Sequence, residues 1–307
     1  MKKTTIKDIA KAAGVSIATV SYILNDVKTQ SISDETRVKV LKIAQQLHYV
    51  TNRSARSLKL QKTGLIGILL FRDLAPQPWS DLKYVKTLYT LERLCGELGY
   101  HIIFMQVDGD SPSYDMIRER NLDGVFLLNA DQERFATVSR YFGFGIPVFV
   151  IDSWIEDPIF HKILPDYAGS FKRAGTLLGA APEYLVMQPC NDAELANRIA
   201  LLSGLDESCI HRYEDRAGLD EFLNRFTDRK GLVINEFLAN EVVRTRGDRD
   251  SIAVLCTSHS PDILPDHVVK LSYELNDYKP VVDTMDGNIQ DADYSSHNKF
   301  IYLSVTS

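Results

Sequence analysis

Two short apolar-periodic segments separated by a glycine lie near the start of the 307-residue chain. The first has a buried face at helical spacing, formed by Ile6, Ile9, Ala10 and Ala13. Gly14 ends this segment, and Ser16 is a suitable N-cap for a second helix because its hydroxyl can accept from free N–H groups of the first turn. The second helix would bury Val20, Ile23 and Leu24. Two short helices joined by such a turn predict a helix-turn-helix, whose second helix enters the DNA major groove.

A third helix is predicted to follow and to close a small core. Ser33 is its N-cap, and Asp34 and Glu35 lie favourably in its positive first turn. Its predicted apolar stripe consists of Val38, Leu41, Ala44 and Leu47. A generic three-helix bundle with no role in DNA binding has the same spacing, so spacing alone leaves both interpretations open.

The residue types favour DNA binding. The run from Thr5 to Ser16, then Thr19-Val20-Ser21 and Asn25, closely resembles the DNA-binding headpiece of the lactose-repressor (LacI/GalR) family of bacterial transcription regulators. The same resemblance extends through Ser33–Arg37, Leu47–Asn52 and the hinge-helix segment Ala55-Arg56-Ser57-Leu58. The resemblance implies a sequence-specific transcription regulator that acts as a repressor. It also implies a headpiece over residues 1–51 and a hinge over 52–62.

The exposed face of the second helix is the candidate reader of base edges. Ile17 and Ala18 are apolar, and Tyr22 stands where family members often carry Arg or His. We therefore expect an unusual operator in which Ile17 or Ala18 contacts thymine methyl groups. Polar residues predicted to position phosphates or cap helices are Thr5, Ser16, Thr19, Ser21, Asn25 and Ser33. For Thr19 and Ser21 a purely structural role is a nearly equal alternative.

The hinge segment, Asn52 to Leu60, is too short to form a stable helix alone in water. The resemblance implies that it becomes ordered on DNA and that two copies insert into the minor groove. Leu58 stands at the family's intercalating leucine, and such an apolar wedge kinks the duplex. The expected DNA-contacting residues here are Asn52, Ala55, Arg56 and Leu58. The alternative is that Leu58 is a linker residue that packs on the body.

The charge of the chain is unevenly distributed. Residues 1–62 carry 12 Lys and Arg against 4 Asp and Glu, whereas the remainder carries 23 against 37. A basic module on an acidic body is expected if only the headpiece meets phosphates. A merely solvated basic surface is disfavoured by the helix-turn-helix pattern. The resemblance implies binding to a palindromic operator as a symmetric homodimer.

From Leu65 onward, short apolar runs alternate with helical stretches, which predicts parallel sheets covered on both faces. The predicted strands are Leu65–Phe71, His101–Gln106, Gly124–Leu128, Pro147–Ile151, Glu183–Met187, the region around Cys209–Arg212, Gly231–Asn235, Ile252–Cys256 and Val268–Ser272. The two series predict an α/β body with two lobes. This resembles the family's periplasmic-binding-protein-like body over residues 63–307. The resemblance places lobe 1 at about 63–162 and 275–292, and lobe 2 at about 163–274 and 293–307, with Phe300–Val305 a terminal strand of lobe 2.

A ligand between such lobes is expected at the carboxyl ends of the strands. The predicted effector-binding residues are Phe71, Arg72, Asp73, Asp152, Ser153, Asp166, Asn235, His259 and Tyr273. Asp152 and Asn235 match family positions. The Arg that contacts the effector in this family has no match near residues 188–192. The Asp of the family's Gly-Phe/Tyr-Asp motif is replaced around residues 258–260.

These departures leave the effector open between a sugar and a phosphorylated metabolite. Arg72 is either a phosphate ligand or an ordinary ion-pair residue. The body is also shorter than is usual in the family. Together with the departures, this leaves a second interpretation open, in which the regulator no longer binds a sugar and acts constitutively or through a protein partner. An alternative from another class of protein is a ligand-binding protein that does not bind DNA, and the headpiece argues against it.

Other classes of protein are disfavoured by the sequence. Cys95, Cys190, Cys209 and Cys256 lie far apart with no zinc-ligand spacing, so we expect reduced thiols and no metal. The longest apolar run is too short to span a bilayer, and the N-terminus lacks a signal-peptide core. The sequence contains neither a Gly-x-Ser-x-Gly motif nor a phosphate-binding glycine loop. We therefore expect a cytoplasmic protein that is not an enzyme and needs no cofactor.

Overall fold

The structure is a computed structural model that describes residues 4–24, 32–47, 62–107, 114–142, 145–246, 252–291 and 299–306. The chain forms two compact units, Met1–Thr63 and Gly64–Ser307. In its described residues the first unit, the headpiece, is helical, and the second, the body, is α/β. Among the described residues, no helix combines the length and the apolar character needed to cross a bilayer.

The headpiece contains α1 (Ile6–Ala13), α2 (Ile17–Leu24) and α3 (Asp34–Gln46). Thr5 and Asp8 form a capping box at the start of α1, and Gly14 ends the helix in the left-handed conformation with φ 69°. The Ser16 hydroxyl accepts from the Thr19 N–H at 3.0 Å. The start of both helices and the end of α1 thus lie where the sequence predicts, because local capping contacts set these boundaries.

The core of the headpiece is formed by all three helices, and its buried residues are Ile9, Ala10, Ala13, Val20, Ile23, Val40 and Ala44. The predicted buried stripe of α3 is wrong. Val38 is 50% exposed, Leu41 47% and Leu47 37%. The helix instead buries Val40 and Ala44. Both apolar stripes have helical spacing and share Ala44, so periodicity could not select between them; packing against α1 and α2 does.

The first lobe of the body is built on a six-stranded sheet in the order β11-β5-β4-β3-β1-β2. Its strands are β1 (Leu65–Phe71), β2 (His101–Val107), β3 (Gly124–Leu128), β4 (Val148–Ile151), β5 (His161–Pro165) and β11 (Phe300–Leu303). All neighbouring strands are parallel. The helices of this lobe are α4 (Val85–Glu97), α5 (Asp115–Arg120), α6 (Gln132–Val138) and α11 (Lys279–Gln290). They cover both faces of the sheet.

The second lobe has a six-stranded sheet in the order β12-β10-β9-β8-β6-β7. Its strands are β6 (Tyr184–Met187), β7 (Ile210–Arg212), β8 (Gly231–Ile234), β9 (Ile252–Leu255), β10 (Val269–Tyr273) and β12 (Val305–Thr306). Only β10 and β12 pair antiparallel. Its helices are α7 (Tyr167–Leu178), α8 (Ala193–Ser203), α9 (Arg216–Asn224) and α10 (Glu236–Arg246). The predicted two-lobed α/β body with parallel sheets is confirmed.

Two parts of the sheets differ from the sequence prediction. Strand β5 was not predicted because it begins with His161 and Lys162, yet every residue of it is buried. The His161 ring stacks on Phe149 at 4.3 Å, and Lys162 donates to the Asp157 carbonyl. Phe300–Leu303 pairs with β5 in the first lobe rather than forming a second-lobe strand, because the chain changes sheets only after Leu303.

Candidate functional site

The second helix of the headpiece presents an exposed face that matches the predicted base-reading surface. Ile17 is 49% exposed, Tyr22 is 37% exposed, and Ala18 is also exposed. On the opposite side, Val20 and Ile23 are buried in the core. An exposed apolar face held by a packed core can contact base edges and thymine methyl groups in the major groove.

The polar residues predicted around this helix are involved in capping. The Thr5 hydroxyl donates to the Asp8 carboxylate at 2.7 Å. The Ser16 and Thr19 hydroxyls lie 2.9 Å apart, and Ser21 is half-buried. Thr5 and Ser16 thus cap helices, and Thr19 contacts the Ser16 cap, while the contacts of these residues and of Ser21 with phosphates stay a prediction. The remaining predicted DNA-contacting residues, Asn25, Asn52, Ala55, Arg56 and Leu58, lie outside the described residues.

In the body, the predicted effector residues are distributed over three separate cavities. Phe71, Arg72 and Asp73 line a cavity of about 200 Å³ in the first lobe. Asp152 lines a cavity of only about 30 Å³ between the lobes. Asp166 lines a largely apolar cavity of about 430 Å³. The other four, Ser153, Asn235, His259 and Tyr273, are buried and line none of these three cavities. The structure therefore does not bring the nine residues together around one open site.

Asn235 is fully buried and acts within the fold. Its side-chain oxygen accepts from the Phe237 N–H at 2.9 Å, which caps α10, and its amide nitrogen donates to the Ser258 hydroxyl at 2.9 Å. The neighbouring Glu236 carboxylate accepts from the N–H groups of Ser258 and Ser260 at 3.1 and 2.6 Å. Together these bonds fix the loop that follows β9.

His259 and Tyr273 pack against each other behind this loop. Their ring centroids are 4.4 Å apart in an edge-on arrangement, and the Tyr273 hydroxyl donates to the Thr257 carbonyl at 3.2 Å. Burial lowers the pKa of His259 to about 4 and raises the pKa of Tyr273 well above its ordinary value. Both side chains are therefore neutral near pH 7.

Four residues other than glycine adopt positive φ at the carboxyl ends of parallel strands. They are Asn129 (62°), Asp152 (55°), Asn235 (91°) and His259 (55°). Such conformations cost free energy and persist where the surrounding structure holds them, often at functional sites. Sequence reasoning missed Asn129, although an Asn that directly follows a buried strand was an available signal.

Asp152 faces the region between the lobes and is held by a tyrosine. Its carboxylate accepts from the Tyr84 hydroxyl at 3.1 Å. Burial raises the pKa of Asp152, while the nearby Lys83 ammonium and the Tyr84 hydrogen bond oppose this shift. Burial also raises the pKa of Tyr84 well above its ordinary value, so the phenol remains a hydrogen-bond donor.

Replacing Asp152 with Asn should stabilise the body near neutral pH. Because the pKa of Asp152 is higher in the folded than in the unfolded protein, the folded state binds more protons between those two values, and its stability falls as pH rises through that window. The amide oxygen of Asp152→Asn can still accept from Tyr84 but carries no charge. Urea unfolding should give the variant a higher midpoint at pH 7, with the difference shrinking as pH approaches 4. A variant less stable than the wild type at pH 7 would show that the buried charge is favourable.

Comparison with known proteins identifies the headpiece. Residues 5–52 match the family described as bacterial regulatory proteins of the lacI family. This match covers the three helices of the headpiece. It is 29% identical over 181 residues to the ribose operon repressor of Haemophilus influenzae, covering 57% of this chain and 52% of that protein. It is 30% identical over 165 residues to the transcriptional repressor PurR of Photobacterium profundum, covering 52% and 46%. The chain thus spans about half the length of these curated relatives.

A solved structure extends the likeness in fold to the whole chain. The crystal structure of the Lac repressor dimer bound to operator and the anti-inducer ONPF aligns with a TM-score of 0.69 and 18% identity. The alignment covers 99% of this chain and 97% of that chain. At this identity the likeness establishes a shared fold, which agrees with the helical headpiece and two-lobed body described above.

Proposed function

We propose that the chain is a sequence-specific DNA-binding transcriptional repressor that acts as a homodimer on a palindromic operator. The observation that carries the proposal is the helix-turn-helix, in which α2 exposes Ile17, Ala18 and Tyr22 from a headpiece of the LacI family. The excess of basic residues in 1–62 supplies the attraction to phosphates. Such a regulator works beside bacterial DNA in the cytoplasm, and it catalyses no reaction and needs no cofactor.

We assign base reading to the exposed face of α2 and positioning to the residues around it. Ile17 or Ala18 contacts thymine methyl groups, and the Tyr22 hydroxyl offers one hydrogen bond. Thr5, Ser16, Thr19, Ser21 and Asn25 position the headpiece on phosphates. Asn52, Ala55, Arg56 and Leu58 enter the minor groove. Since a dimer carries two such headpieces, the operator should be a palindrome.

The effector in this proposal is a small hydroxylated or phosphorylated molecule bound by the body. The first-lobe cavity of about 200 Å³ supports it, because Arg72 lines the cavity and offers a guanidinium for a phosphate. The Asp73 carboxylate also lines it and already accepts from the Asn129 amide at 2.7 Å and from the Ser80 hydroxyl. Asn129 also lines this cavity, and its buried Oδ1 has no hydrogen-bond partner among the described residues. A ligand hydroxyl would satisfy this acceptor.

One observation favours a second candidate, a repressor whose body no longer binds a sugar and acts constitutively or through a protein partner. The cavity between the lobes, next to Asp152, has a volume of about 30 Å³, far below that of ligand pockets. Thermal-shift measurements with a panel of sugars and sugar phosphates separate the candidates, because a ligand that binds only the folded state raises the unfolding midpoint. A shift with any member of the panel supports effector control, and no shift supports the second candidate.

Footprinting on genomic DNA tests the proposed function. The expected result is protection of two half-sites related by a two-fold axis, with centres separated by a whole number of helical turns. Diffuse protection without a preferred sequence would contradict a sequence-specific repressor and leave only general affinity for DNA.

Replacing Leu58 with Ala should weaken binding to that operator and reduce DNA bending. An apolar wedge unstacks a base step and kinks the duplex, and Ala is too small to do so. The effect is measured as the bend angle in fluorescence energy transfer on end-labelled operator, and circular dichroism checks that the fold is retained. An unchanged bend angle would show that Leu58 is not the wedge.

A further inference from the structure

Trp79 joins the two lobes of the body. It lies between β1 and α4 of the first lobe, yet it is only 8% exposed and belongs to the core cluster of the second lobe. Its ring lies 5.7 Å from that of Tyr213. A large aromatic side chain from one lobe therefore completes the hydrophobic core of the other.

Tyr273 makes the reciprocal insertion. It ends β10 of the second lobe, but it packs in the core cluster of the first lobe together with Tyr84 and Tyr278. It is 4% exposed. The two lobes thus exchange aromatic residues across the region where the strands end.

Polar contacts from the loop before α8 reinforce this arrangement. The Asn191 amide nitrogen donates to the main-chain carbonyls of Arg72 and Asn129 at 3.0 and 2.9 Å, and its oxygen accepts from the Leu74 N–H at 2.8 Å. Farther along the cleft, Lys86 donates to the His259 carbonyl at 2.6 Å. All of these bonds run between the lobes and hold them closed.

The space left between the closed lobes is too small for a metabolite. The cavity of about 30 Å³ there, lined by Lys83, Asp152 and Cys190 among others, has room for one or two water molecules. The Asp152 carboxylate, which could bind a ligand hydroxyl, already accepts from the Tyr84 hydroxyl. The side chains of the protein itself thus occupy the place between the lobes.

We infer that Trp79 and Asn191 latch the two lobes closed in the ligand-free protein, so that any molecule entering between the lobes must displace this latch and stabilise an open form. A ligand shifts a conformational equilibrium only by its difference in affinity for the two states. Because the closed form has no room for a metabolite, an effector at this position binds the open form alone. Only the existence of an effector rests on the proposed function; the latch itself does not.

Tryptophan fluorescence tests the latch directly, because the chain contains two tryptophans, Trp79 and Trp154. Trp154→Phe leaves Trp79 as the sole reporter. In dialysed, ligand-free protein without DNA, acrylamide should quench Trp79 several-fold less than in the same variant unfolded in urea. Quenching comparable to that of the unfolded variant, in protein that circular dichroism shows to be folded, would overturn the latch.

A second variant tests the role of Asn191 in the same background. Asn191→Asp keeps the size of the side chain but places a carboxylate oxygen against two carbonyl oxygens, which opposes closure. Asn197→Asp adds the same charge at an exposed position on α8 and is the matched control. The first change should raise acrylamide quenching of Trp79 and the control should not. Equal quenching in the two folded variants would show that Asn191 is not part of the latch.

Failure of the protein to bind DNA would overturn the proposed function without affecting these measurements.

Discussion

Replacing Ile9 with Ala is expected to abolish DNA binding while leaving the body folded. Ile9 is fully buried in the headpiece core. Truncation of a buried isoleucine costs about 2–5 kcal/mol. A helical unit of this size has only a few kcal/mol of stability to lose, so most headpieces should unfold. Titration of labelled operator should show at least a ~100-fold loss of affinity, which corresponds to about 2.7 kcal/mol.

Ile17→Ala is the matched control because it removes the same atoms from an exposed position. Ile17 is 49% exposed on α2, so the headpiece should stay folded. The operator affinity should fall only by about tenfold, through loss of apolar contact with a base methyl. Headpiece folding is followed by one-dimensional NMR, and body folding by its thermal transition. Full DNA binding by Ile9→Ala with an unfolded headpiece would contradict the assignment of DNA binding to this unit.

Replacing Gly231 with Ala should lower the free energy of unfolding of the body by about 3 kcal/mol. This value lies at the upper end of the usual cost of overpacking a protein core. A Cβ at Gly231 would overlap the ring of Tyr184, which is fully buried on the adjacent strand. The ring cannot move away easily, because Phe222 and Phe226 pack against it with centroids 6.1 and 5.2 Å away. The thermal midpoint of the body should fall by roughly 10 °C.

Gly96→Ala separates this steric effect from the general effect of replacing a glycine. Gly96 lies near the end of α4 on an exposed face, and no neighbouring atom lies within 4 Å of the position that an alanine Cβ would take there. Alanine has the higher helix propensity, so this change should be neutral or stabilising by up to about 1 kcal/mol. If both variants unfolded at the same temperature as the wild type, that result would contradict the close packing of Tyr184 against Gly231.

The sequence allowed accurate prediction wherever structure depends on neighbouring residues. The boundaries of α1 follow from the Thr5 capping box and Gly14, and most strands are marked by continuous apolar runs between glycines and polar residues. The buried face of α3 could not be predicted in this way. Two apolar stripes have the same periodicity, and only contacts with α1 and α2 select Val40 over Val38.

The arrangement between the lobes was also inaccessible from local sequence. Strand β5 contains His161 and Lys162, which pack against Phe149 on the neighbouring strand and against Phe300, 138 positions farther along the chain. Positions at strand ends indicated residues near the cleft, but not which of them the fold itself uses. Asn235 caps α10, and the contacts of Asn191 reach residues more than sixty positions away.

The most direct test of DNA recognition by the headpiece is a titration of the footprinted operator and a scrambled duplex at two salt concentrations. We expect the operator to bind at least ~1,000-fold more tightly than the scrambled sequence. Both affinities should fall steeply with salt, because the basic headpiece displaces counterions from phosphates. Equal affinity for the two duplexes, or binding that does not depend on salt, would contradict sequence-specific recognition by this chain.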